Sequence, residues 1–251
     1  MKKITLLLLS FICLIPSIYA VPGDTTVIQT FRFSDGRQSR RGVFDFPDGN
    51  VSYEKILMYY TLKCDPTKNP ACGEWDYIVY TELAEPIDTV PDRLGNDSIV
   101  YRNWKLSTYI TPYGYGINLG EGWTWVFDVT DFAPLLKGKV TLQDGNYQEL
   151  LDLKFVFVEG VPVREVKSIR QIYNGNYPLN QFDNFVKDTT VLLRPEDKMV
   201  KLRTTVTGHD FDNATNCAEF CPKIHTLKAN GKAIESWNII RSCSDNPLYP
   251  Q

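Results

Sequence analysis

Short runs in which apolar and polar residues alternate, each closed by turn chemistry, dominate the chain. The runs at 26–33, 41–46, 56–63, 77–83, 124–129 and 151–158 are rich in Val, Ile, Tyr, Phe and Thr. Ser34-Asp35-Gly36, Pro47-Asp48-Gly49-Asn50 and Gln143-Asp144-Gly145-Asn146 fall between them. A period of two with such punctuation predicts strands. The one helical pattern runs from Thr130-Asp131-Phe132 to Gly138, with Pro134 in its first turn and the glycine as a stop, and predicts a turn or two of helix between strands. A second strand series, at 168–173, 189–193, 199–207 and 223–229, follows Gly160-Val161-Pro162-Val163, which marks a domain boundary near Pro162. Its last run enters Asn230-Gly231, the dipeptide of a type I′ hairpin, and returns through Lys232-Ala233-Ile234. The expected architecture is all-β, with two stacked sandwiches. Residues 21–162 carry about nine strands' worth of chain, and residues 163–251 form a second sandwich left incomplete at Pro250-Gln251.

The first twenty residues stand outside this pattern. Met1-Lys2-Lys3 precedes an apolar stretch to Ile15, and small residues end the segment at Ala20, as in a secretory signal peptide cleaved near Ala20. The expected location is therefore secreted or periplasmic. The stretch is too short to span a bilayer with polar flanks, and no second one follows, so no membrane span is expected. Charge changes the picture little. With 27 basic against 30 acidic residues and only two histidines, there is no basic stripe for nucleic acid, and no close set of metal ligands. No metal or cofactor is expected, and a monomer is.

Export makes disulfides the default state of Cys64, Cys72, Cys217, Cys221 and Cys243. Spacing pairs Cys64 with Cys72 and Cys217 with Cys221. Cys243 is left over, either as a free thiol or with a partner beyond Gln251. Both short loops bracket or precede a carboxylate beside an aromatic ring. Cys64 to Cys72 leads at once into Gly73-Glu74-Trp75-Asp76, and Cys217-Ala218-Glu219-Phe220-Cys221 encloses its glutamate. Taken alone, an acid after a turn is more often a cap or a solvated surface charge. Trp123 and Trp125, at period two, fit a core or rim as well as a sugar platform. A carboxylate held at a strand end beside an aromatic ring can nevertheless have its pKa raised by partial desolvation and act on a water. Aromatic faces with scattered carboxylates also suit carbohydrate. The sequence has no nucleophile-elbow motif and no phosphate loop.

These residues carry a resemblance. Cys72-Gly73-Glu74-Trp75-Asp76, Ile110-Thr111-Pro112-Tyr113, Phe127-Asp128-Val129-Thr130-Asp131-Phe132, Leu202-Arg203-Thr204-Thr205, Cys217-Ala218-Glu219-Phe220-Cys221 and Cys243-Ser244-Asp245-Asn246-Pro247 occur in the order of the peptide-N-glycosidase F family, which the chain resembles from about residue 25 onward. The resemblance implies two side-by-side jelly rolls with a metal-free site in the cleft between them. It implies an amidase that hydrolyses the glycosylated Asn side-chain amide of N-linked glycoproteins or glycopeptides. It places Asp76 on the principal catalytic acid and Glu219 on one of two supporting glutamates, with Asp144 or Glu149 as candidates for the other. Glu74, Trp75 and Phe220 match residues beside the site. Tyr77 stands where a basic residue is found and His209 where a Trp is. The competing expectation is a non-catalytic glycan- or glycopeptide-binding sandwich that kept the cleft.

Overall fold

The computed structural model describes residues 23–111, 116–206, 211–212, 217–218 and 221–240. Eight strands form two antiparallel sheets: β1 (Thr25–Gln29), β2 (Arg40–Asp45), β3 (Tyr53–Lys63), β4 (Ile78–Pro91), β5 (Asp97–Ile110), β6 (Trp123–Asp128), β7 (Lys139–Asp144) and β8 (Leu150–Glu159). One sheet runs β1-β8-β3-β6 and the other β2-β7-β4-β5. Consecutive strands thus alternate between sheets, apart from the β4–β5 hairpin, which is the double Greek key of a jelly roll.

Alternation along the strands fills the space between the sheets. In β3 the buried residues are Ile56, Met58, Tyr60 and Leu62, and in β8 they are Leu151, Leu153, Phe155 and Phe157. Val79, Leu83, Trp104, Leu106, Val140 and Leu142 face them from the other sheet. Each such side chain taken from water contributes about 1.5–3 kcal/mol before chain entropy is set against it. Phe46, just past β2, meets Phe155 and Phe157 edge-on at 5.1 and 5.7 Å, closing the lower end of the core. The predicted helix is a single tight turn at Thr130–Phe132. Asp128 caps it by accepting from the Thr130 N–H and hydroxyl at 3.0 and 2.5 Å.

Two sequence expectations need correction. Of the eight strands of the sandwich, β5 and β7 were not among the expected runs. The runs at 168–173, 189–193 and 199–206 are irregular chain. A strand exists by pairing, and among the described residues these runs pair with no strand; Leu192, Leu193 and Met199 are exposed. The hairpin expected at Asn230-Gly231 does form, joining β11 (Ile224–Ala229) to β12 (Lys232–Asn238). Both turn residues take positive φ, 50° and 75°, as a type I′ turn requires. Between β8 and that hairpin lies one short ribbon, β9 (Phe211–Asp212) with β10 (Cys217–Ala218).

The chain after β8 is tied to the jelly roll at discrete points. Lys201 pairs with Asp131 at 2.5 Å, and Arg203 sits over the Phe132 ring. Ile169 packs on the core. The hairpin is anchored by His225, which lies between the rings of Phe182 and Trp237 at 5.3 and 6.0 Å. No helix among the described residues is long and apolar enough to cross a membrane. The proposed leader 1–20 and Cys243 lie outside the described residues.

Candidate active site at one end of the jelly roll

The strand directions bring four connections to one end: β1–β2, β3–β4, β5–β6 and β7–β8. The β3–β4 connection, residues 64–77, is the stretch singled out by its cysteines. Cys64 and Cys72 are disulfide-bonded as expected. Inside the loop the Asp65 N–H reaches the Ala71 carbonyl at 2.7 Å. The Asp65 carboxylate accepts from the Thr67 hydroxyl and N–H at 2.6 and 3.0 Å, bonds that hold it below the usual carboxylate range. Arg37 of the β1–β2 connection donates to the Pro70 carbonyl at 2.8 Å. Closing the nine-residue loop removes about 2.5 kcal/mol of unfolded-chain entropy, but its larger effect is local rigidity.

From Cys72 the chain passes through Gly73-Glu74-Trp75-Asp76 to Tyr77. Trp75 is 68% exposed, whereas Glu74 and Asp76 are partly covered. The indole is thus a surface residue at the mouth of the loop, outside the core. The flanks are fixed. The Gly73 N–H donates to Glu149 Oε1 at 3.0 Å. The Tyr77 N–H donates to Thr111 Oγ1 at 2.9 Å, and the Tyr77 carbonyl accepts from the Thr111 N–H at 2.9 Å. The Tyr77 hydroxyl donates to Glu149 Oε2 at 3.3 Å and accepts from the N–H groups of Tyr147 and Gln148. Gly73 sits close against Gln148, since a Cβ there would lie 1.8 Å from Gln148 Oε1 and would oblige that side chain to move.

Beneath this surface lie two carboxylates. Asp144, at the end of β7 and only 2% exposed, accepts from Tyr60 Oη at 3.0 Å, Thr81 Oγ1 at 2.8 Å and the Asn146 N–H at 2.9 Å. Glu149, also 2% exposed, accepts in addition from Asn146 Nδ2 at 2.9 Å. Arg40 donates to the Asn146 carbonyl at 2.9 Å and also to the Gly36 carbonyl. Burial pushes both acids above the ordinary carboxylate range, against the pull of these donors. Burial and then the Glu149 charge push the Tyr77 phenol up, so it stays a neutral donor. Of the two candidates for a further site carboxylate, Asp144 is therefore an interior group whose oxygens serve the core, and Glu149 lies directly under the Trp75-Asp76 loop.

An open pocket of about 460 Å³ adjoins the loop, lined among others by Lys63, Asn69, Glu74 and Asn118. Tyr147 is exposed on the neighbouring β7–β8 connection, its ring 5.0 Å from that of Tyr77. The structure thus brings together Glu74, Trp75, Asp76, Tyr77, Tyr147 and Glu149. Glu219, Phe220 and His209 lie outside the described residues, as does the side chain of Cys217; Cys221 is disulfide-bonded. The bonding of Gly73 and Tyr77 to one buried acid was not legible in the sequence. Asp144-Gly145-Asn146 looks like an ordinary solvated turn, and nothing in its pattern says that both acids flanking it are enclosed.

The fold so defined is an all-β jelly-roll sandwich. No protein-family model and no curated protein matches the chain. Solved structures do. A crystal structure of peptide-N(4)-(N-acetyl-β-D-glucosaminyl)asparagine amidase matches with a TM-score of 0.55 at 20% identity, covering 89% of this chain and 74% of that one. Recombinant peptide:N-glycanase F matches at 0.54 and 21%, covering 90% and 76%. The structure of PNGase F, a glycosylasparaginase from Flavobacterium meningosepticum, matches at 0.55 and 22%, covering 90% and 75%. The chain shares the fold of these amidases.

Proposed function

We infer that this chain is an amidase acting on N-glycosylated peptides or proteins, with Asp76 at the reacting centre. The observation that carries this reading is the Trp75-Asp76 pair just past a disulfide-closed loop at the end of the jelly roll, in a chain with the fold of glycan-releasing amidases. The exposed Trp75 face suits a sugar ring, whose C–H face stacks on aromatic carbons while its hydroxyls turn to polar neighbours such as Glu74. The Asp76 carboxylate takes a proton from water as the water oxygen bonds to the side-chain amide carbon of the substrate Asn. The C–N bond then breaks, its electron pair leaves with the nitrogen, and that nitrogen gains a proton. The products are an Asp side chain and a free glycosylamine. Glu219 is assigned the supporting role of orienting the water or the sugar amide. Residues 1–20 direct export, where N-glycoproteins and an oxidising environment are met.

One observation favours a second reading, a glycan-binding module without turnover. Asp144 and Glu149 both spend their oxygens on internal hydrogen bonds, leaving fewer carboxylates at the surface than the resemblance implies. Incubation with a denatured N-glycoprotein separates the two. Release of intact glycan with conversion of the linking Asn to Asp supports the amidase. Retention of glycopeptide without release supports the module.

A further inference from the structure

The two residues that flank Glu74-Trp75-Asp76 are held by the same side chain. Gly73 on one side donates its N–H to Glu149 Oε1 at 3.0 Å, and Tyr77 on the other donates its hydroxyl to Glu149 Oε2 at 3.3 Å. The carboxylate is itself fixed from behind. Asn146 Nδ2 donates to Oε2 at 2.9 Å, and the Glu149 N–H returns a bond to Asn146 Oδ1 at 3.2 Å. Asn146 is fully enclosed, with its carbonyl held by Arg40. Two further anchors, the Cys64–Cys72 bridge and the Tyr77–Thr111 pair, act on the same two flanks. These three consecutive residues thus lie between two clamps that share one enclosed acid.

The geometry points to Glu149 as a positioning residue for the Trp75-Asp76 segment, acting through the Gly73 amide and the Tyr77 hydroxyl without touching substrate. This assignment rests on the amidase reading for its kinetic consequence, though not for its structural one. A buried acceptor that takes three donors fixes each of them more tightly than water does. A loop released by about 1 Å loses reaction geometry while its exposed ring still meets the sugar, so the loss falls on turnover rather than on substrate affinity.

Three variants of the full chain test the assignment: E149A, E149Q and Y77F. In E149A, kcat falls by about 30-fold or more while KM stays within about threefold, and amide exchange at Gly73 quickens by about tenfold while β3 and β8 keep their protection. E149Q keeps an acceptor for Gly73 but sets its amide nitrogen against Asn146 Nδ2, and gives a smaller loss of kcat than E149A. Y77F releases one clamp and gives an intermediate loss. A uniform rise in exchange across the sandwich, or a change in KM alone, would overturn the assignment, as would wild-type exchange at Gly73 in folded E149A. Should E149A not fold, E149Q and Y77F carry the kinetic readout, and wild-type kcat in both would overturn the assignment. If the wild-type chain releases no glycan, the amidase reading fails, and the Gly73 exchange still decides whether Glu149 holds the segment.

Discussion

Gly73 and Glu149, 76 positions apart, meet where the backbone N–H of the glycine donates 3.0 Å to the enclosed carboxylate of the acid. Beside this contact the glycine is crowded by Gln148: an added Cβ would lie 1.8 Å from its Oε1 and 2.8 Å from its Cδ, which a rotamer change can withdraw, and 3.0 Å from its Cβ, which stays. Gly73→Ala should therefore cost about 1–2 kcal/mol. Pairing it with Gln148→Ala, which removes the two nearest atoms, should return part of that cost. Urea denaturation of the two single variants and the double variant measures the coupling.

Buried acids set the pH response of stability. Asp144 and Glu149 both have folded pKa values above those of the unfolded chain, chiefly through burial. The folded state therefore binds more protons than the unfolded state from the ordinary carboxylate range upward, and stability falls as pH rises through the folded pKa values. Asp144→Asn keeps the shape and should flatten that decline, because Thr81 can turn its hydroxyl to accept from the new amide. Urea midpoints between about pH 4 and 8 check it, and an unchanged slope in the variant would count against it.

Asp128 runs the other way. Burial raises it, but Lys55 and Thr130 together outweigh burial and hold it at about 2. Its contribution is present above the unfolded carboxylate value and is lost as pH falls through the folded one. The group is half exposed, so solvent screening keeps the effect small. Asp128→Asn should soften only the acid limb of the stability profile.

Much of the first sandwich was legible. Ile56, Met58, Tyr60 and Leu62 announce β3 by their period, and Asn230-Gly231 announces the hairpin by its turn chemistry. The strand β5 is hard to read because only Trp104 and Leu106 mark an apolar inward face, while its first half is mostly exposed. Conversely, Leu192, Leu193 and Met199 read as strand residues and are not, because local propensity does not supply a partner edge. At the site, spacing exposed the Cys64–Cys72 loop and the Trp75-Asp76 pair. The acid beneath them depends on long-range enclosure, which no local pattern records.

Trp75 is expected to serve substrate rather than fold. Its exposed ring makes Trp75→Ala nearly neutral for stability, within about 0.5 kcal/mol. The same variant should raise KM for glycopeptide by about tenfold, the loss of a stacking partner. Steady-state kinetics and thermal denaturation on one preparation separate the two effects.

The most direct measurement compares wild type with Asp76→Asn on a denatured N-glycoprotein, following glycan release and the Asn-to-Asp conversion by mass spectrometry. Wild type should release intact glycan, and the variant should lose turnover by about 10³-fold or more while binding glycopeptide within about tenfold of wild type, because it keeps the shape of the side chain and loses the charge that activates water. Full activity in Asp76→Asn, or binding without release by the wild-type chain, would contradict the assignment.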